Sequence, residues 1–130
     1  MSNPILRRVA AGALGANAAL HLVLVFEYFG EQAYIGLSFL ALAAISIWAA
    51  VRVLADDGRA WTIGAVASAG AFVAFVVSRT IGLPSFHPTD WELSGIVALF
   101  LEAIVVGAAV LRSRAVERRR ASRSPEPSVG

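Results

Sequence analysis

Between residues 78 and 92 the chain reads SRTIGLPSFHPTDWE, a polar island in a sequence that is 58% hydrophobic. It carries Arg79, His87, Asp90 and Glu92, two prolines and Trp91. Apolar runs of helix length lie on both sides, so the island connects two buried segments. Gly82, Pro84 and Pro88 interrupt helical continuity, and X-Pro pairs favour extended or turn backbone. Thr89 or Asp90 is the expected N-cap of the segment that follows, with Glu92 in its first turn.

Working outward, the run before the island spans about residues 61–81 and the run after it about residues 93–111. Two more apolar runs precede them, at about residues 9–26 and 35–54. The first has only Asn17 and His21 as strongly polar members, and its 18 residues exceed the usual h-region of a cleaved signal. EYFGEQAY (residues 27–34) is expected as a tight acidic and aromatic connection, with Tyr28, Phe29 and Tyr34 at headgroup level. ADDGRA (residues 55–60) is expected as a hairpin turn, with Asp57-Gly58 as its turn signal. Trp48, Trp61 and Trp91 fall at span ends, where indoles anchor to the interface.

The fold expected is all-α: an antiparallel bundle of four transmembrane helices over residues 1–111. Residues 112–130 form a basic tail, expected on the cytoplasmic side and disordered. A mean hydropathy of +0.71 and 15% charged residues exclude an ordinary soluble chain of 130 residues. There is no cysteine, which excludes disulfides, Cys-ligated zinc and thiol chemistry. All 11 basic residues are arginine. Ten lie in the N-terminal segment, the 55–60 turn region or the tail, and Arg79 alone lies at the opposite end. The positive-inside rule then places both termini in the cytoplasm and the polar island outside, in a bacterial cytoplasmic membrane. Membrane topology also explains the arginines without nucleic acid. Gly15/Ala19, Gly70/Ala74 and Ala103/Gly107 are small-xxx-small pairs that permit close helix approach in lipid.

Ionisable groups inside a span cost about 2.5–3.5 kcal/mol each at the helix centre and need a reason. Glu102 lies ten residues after Glu92, about 15 Å down the fourth span. His21 lies six residues before Glu27, about 9 Å below that end of the first span. His21, Val25 and Tyr28 share one face, as do Glu92, Gly95, Leu99 and Glu102. His21, Glu27, Arg79, Glu92 and Glu102 are therefore the candidates for a ligand or proton site. Arg79 is expected to answer Glu27 or Glu92. His21, His87 and Glu102 are the candidates for a borderline divalent metal such as zinc or copper. No HExxH, paired His, P-loop, dinucleotide fingerprint or nucleophile elbow occurs, and nothing argues positively for an enzyme.

The stretch His21-x6-Tyr28, the string Ser78-Arg79-Thr80-Ile81-Gly82-Leu83-Pro84, and His87, Trp91-Glu92 and Glu102 resemble a group of small four-span membrane proteins of high-GC bacteria. The resemblance covers about residues 10–111. That group has no settled biochemical function, so the likeness implies four spans and draws attention to Arg79 and Pro84. It implies no activity, cofactor or catalytic residue.

The function expected is a non-enzymatic accessory or ligand-binding role built on an outward-facing polar cluster, with the lipid bilayer, further copies or a larger membrane complex as partners. The alternatives are a proton- or metal-cation-handling transporter component and a haem- or quinone-binding redox subunit.

Overall fold

The computed structural model describes residues 3–123 and is built of four helices: α1 (Pro4–Glu31), α2 (Ala33–Leu54), α3 (Gly58–Thr80) and α4 (Leu93–Arg123). All four are long and apolar enough to cross a membrane. The shortest, α2, has 22 residues and spans about 33 Å, against a hydrocarbon core of about 30 Å. Large side chains such as Phe26, Ile81, Phe100 and Val66 point outward. An apolar exterior around internally bonded helices is the multi-pass membrane solution.

The helices outrun the apolar segments. Helix α1 begins at Pro4, where Asn3 caps it by accepting from Ile5 N at 2.9 Å, and continues to Glu31. The expected connection at residues 27–34 is therefore almost entirely helical, and only Gln32, with extended backbone, separates α1 from α2. Hydropathy sets where the membrane ends, whereas backbone hydrogen bonding continues until a breaker stops it. Residues 112–123 are helical for the same reason: Arg, Ala and Glu favour helix and the segment holds neither Gly nor Pro. The rest of the expected disordered tail, residues 124–130, lies outside the described residues.

Sequential helices pack as neighbours, α1 most extensively against α2, and α2 least against α3. The α1–α2 corner is tight because a Cβ on Gly36 would stand 2.6–2.7 Å from Phe29. The small-xxx-small pairs are not helix contacts: Cβ atoms on Gly15, Gly70 and Gly107 would meet nothing within 4 Å. Close approach occurs at Gly64, where a Cβ would meet Ala49 at 3.3 Å and Leu14 at 3.5 Å.

The end holding the termini is locked by charge and ring contacts. Asp57, not the Asp57-Gly58 pair as a turn, starts α3: its carboxylate accepts from Arg59 N at 3.0 Å, and Gly58 is the first helical residue. The left-handed residue of the turn is Asp56, at φ 58°. Arg52 pairs with Asp57 at 2.9 Å, and Arg112 approaches Asp56 at 3.7 Å. Trp61 is buried rather than at an interface, its indole N–H donating to Asp56 at 3.2 Å with the Arg112 guanidinium over its ring.

The Arg52 hydrogen bond, reinforced by the α3 amides, holds the Asp57 carboxyl below the usual aspartate range. A depressed folded value contributes stability above the ordinary aspartate titration and loses it as pH falls through the folded value. Asp57→Asn should thus lower the thermal midpoint at neutral pH, with the difference from wild type shrinking under acid, as read by thermal unfolding in detergent across pH. Gly36→Val should cost about 1–3 kcal/mol by forcing α1 and α2 apart.

Candidate functional site

At the other end of the bundle, the last turn of α3 brings Arg79 inward. Helix α3 ends because Gly82 adopts φ +94° and its N–H bonds to the Val77 carbonyl at 2.8 Å. The chain then turns through Leu83-Pro84-Ser85-Phe86, closed by reciprocal Leu83–Phe86 backbone bonds of 2.8 and 2.9 Å. Proline at the second position and Ser85 at φ 53° in the third follow the pattern of a type II turn. The turn points Phe86 into the bundle against Tyr28, while the Tyr34 hydroxyl donates to the Pro84 carbonyl. Helix α4 begins with the Glu92 carbonyl accepting from Ile96 N, which puts Glu92 at the N-cap in place of Thr89 or Asp90.

Arg79 is only 9% exposed, and each of its three guanidinium nitrogens has a partner. Nη2 donates to the Tyr28 hydroxyl at 3.1 Å, Nη1 to Ser78 Oγ at 2.8 Å, and Nε to the Asp90 carbonyl at 3.2 Å. The guanidinium also lies 4.2 Å from the Phe75 ring centroid. Gly95 makes room for that ring, since a Cβ there would run into it. Tyr28 passes the interaction on, donating to Glu92 Oε1 at 3.1 Å. Arg79 and Glu92 are thus joined through a phenol, a donor–acceptor chain in which each bond strengthens the next. Glu27 is exposed and takes no part.

Below this network lies a cavity of about 320 Å³. Its far wall includes His21 and Glu102; one side is small, with Ala67, Gly70, Ala71 and Ala74 on α3, and the facing side on α2 is larger, with Ile35, Phe39 and Leu42. Ser38, Gly70 and Ala74 line it and are exposed, so it opens sideways between α2 and α3, the most loosely packed neighbours. His21 Nδ1 meets the Asn17 carbonyl at 2.8 Å. A carbonyl only accepts, so Nδ1 carries the proton. The imidazole packs edge-on against Phe39. Glu102 is 1% exposed, and its Oε2 has no hydrogen-bond partner.

The structure therefore brings Arg79 and Glu92 together and sets His21 and Glu102 deeper in the same cavity, without a bond between them. It separates the residues considered for metal. His87 is exposed and packs over Gly82, away from His21 and Glu102. Among the described residues no group of three His, Asp or Glu side chains gathers to hold a metal ion. Tyr28, placed by sequence in the headgroup belt, is buried and central. Its spacing of seven from His21 carried that signal, because i and i+7 share a helix face. Phe75 and Ser78 had no comparable signal.

Comparison with known proteins finds no matching family model, no matching curated protein and no matching solved structure.

Removing the Tyr28 hydroxyl breaks both of its bonds and leaves one Arg79 nitrogen short of a partner. Tyr28→Phe should cost about 1–3 kcal/mol, and Arg79→Lys should cost a similar amount because an ammonium cannot serve three separated acceptors. The double variant should fall well short of the sum, the mark of a shared network, in thermal unfolding of the detergent-solubilised protein.

Proposed function

We propose that this chain is a non-enzymatic, ligand-binding membrane protein that takes a membrane-dissolved amphiphile into the cavity between α2 and α3. The observation carrying this reading is a mostly apolar cavity with the Arg79–Tyr28–Glu92 network at one end and His21 and Glu102 at the other. A volume of about 320 Å³ is within the usual range for small-ligand sites. It suits a compact molecule, or a polar group with the first part of its chain. Arg79 has more N–H donors than its three bonds use, so the Arg79 end favours a hydrogen-bond-accepting group. Ala and Gly along α3 leave the apolar part of the ligand its space, and the sideways opening faces the lipid from which such a molecule would come.

The distribution of arginines orients the bundle in this proposal. Both termini and the 55–57 turn lie in the bacterial cytoplasm, and the Arg79 network lies toward the outer face. The ligand then enters from the outer leaflet.

Lipid extraction and mass spectrometry of protein purified in mild detergent test the reading. Wild type should carry one amphiphile far above its share of bulk lipid. Ala71→Phe fills the cavity from its wall and should lower that amphiphile about tenfold, corresponding to about 1.4 kcal/mol of binding. The same lipid profile in both proteins, with both folded, would overturn it.

A further inference from the structure

Hydroxyls on the helices usually bond back to their own backbone, and Ser38, Thr62, Ser78 and Thr80 do so, to Tyr34, Gly58, Phe75 and Val76 carbonyls at 2.7, 3.2, 2.6 and 2.7 Å. Ser46 and Ser68 do not. Each is buried, at 1% and 0% exposure, with Oγ unpartnered. Asn17 is 0% exposed with both amide atoms unpartnered, and Glu102 Oε2 is likewise buried without a partner. These four residues come from four different helices.

Their registers place them at one level. Leu14, Ala49 and Gly64 meet across α1, α2 and α3, and Val105 of α4 belongs to the same core cluster. Moving about one turn from that layer toward the Arg79 end reaches Asn17 on α1, Ser46 on α2, Ser68 on α3 and Glu102 on α4. The Asn17 amide is near enough to influence the Glu102 carboxyl, although no hydrogen bond joins them, which fits a common level for that pair. The layer sits about 15 Å from the Arg79–Tyr28–Glu92 network, counted along α4 from Glu92 to Glu102.

Leaving this many buried polar atoms unpaired costs free energy at every one of them. Asn17 Oδ1, the two serine hydroxyls and the Glu102 carboxylate are all oxygen donors, the preference of hard cations. The set carries one negative charge. A monovalent ion leaves the layer neutral, whereas a divalent ion leaves an uncompensated positive charge in low dielectric.

We propose that Asn17, Ser46, Ser68 and Glu102 form a site for a small hard monovalent cation, sodium being the probe, at the centre of the bundle. This site is argued independently of the amphiphile reading: it shares Glu102 with the far wall of that cavity, but Asn17, Ser46 and Ser68 do not line it. Sodium and a proton are alternative ways to neutralise Glu102, so each excludes the other.

The test is thermal unfolding of the full chain in detergent, in sodium chloride against choline chloride at matched ionic strength. Wild type should show a sodium-specific, saturable rise in midpoint. Glu102→Gln should abolish it, Glu102→Asp and Ser68→Ala should shift it to higher sodium, and Ala71→Phe should retain it, which separates this site from the amphiphile cavity. Carbodiimide labelling of wild type, read by mass spectrometry at Glu102, provides a measure that needs no variant to fold. Bound sodium should slow labelling about tenfold when present at about ten times its Kd. Equal midpoints in the two salts, a sodium rise that survives Glu102→Gln, or labelling that is absent or indifferent to sodium would each overturn the proposal.

Discussion

A guanidinium removed from water must be given partners by the protein, and meeting that demand for Arg79 organises one end of this bundle. Its charge is permanent, so burial cannot be relieved by losing a proton. Three acceptors therefore converge on it from α1, α3 and the segment before α4, with the Phe75 ring beneath. Each partner in turn fixes something else. The Tyr28 phenol needs α1 to continue helical beyond its apolar run. Phe75 needs a glycine opposite it on α4. The Asp90 carbonyl is available because the island turns at Pro84 and Ser85 and returns across the bundle. The 78–92 stretch is thus a closing device for three helices as well as a connection between two.

The opposite end uses another economy. There the charges stand near the surface, and Asp56 and Asp57 draw Arg112, Trp61 and Arg52 around a short turn. Exposed pairs of this kind contribute modestly on their own. Their effect here is geometric, holding the ends of α2, α3 and α4 in register while the apolar cluster of Leu14, Val53, Trp61 and Val105 packs beneath them. With both ends secured, the middle of the bundle tolerates space. Small residues on α3 leave a gap toward α2 that Ile35, Phe39 and Leu42 line without filling, and lipid supplies no hydrophobic pressure to close it.

That lack of pressure explains why glycine spacing misled at the level of packing. Gly70 and Ala74 have the pattern of a helix-contact motif, yet they line the cavity. Gly64, Gly36 and Gly95, which belong to none of the paired motifs, are where chains and rings come close. A small residue permits approach but does not compel it. What compels it is a partner of complementary shape, such as Phe75 opposite Gly95.

The sequence alone determined that the chain is a four-helix membrane bundle, because segments of membrane length, apolar throughout and separated by polar breaks, have no other way to satisfy their backbones. It also marked His21, Arg79, Glu92 and Glu102, because ionisable groups within or beside such segments are costly enough to stand out singly. Helix ends were less legible. Hydropathy reports the membrane boundary, while α1 and α4 run past theirs on helix-forming polar residues. Only the tertiary structure decided which polar groups meet. Arg79 could have answered Glu27 or Glu92 on spacing, and the choice went to Glu92 through Tyr28 because rotation of α1 turns Glu27 outward and the phenol inward. Ser46, Ser68 and Asn17 carry no charge to betray them. Their common level exists only once four helices are set side by side, which is a property of register between segments distant in the chain.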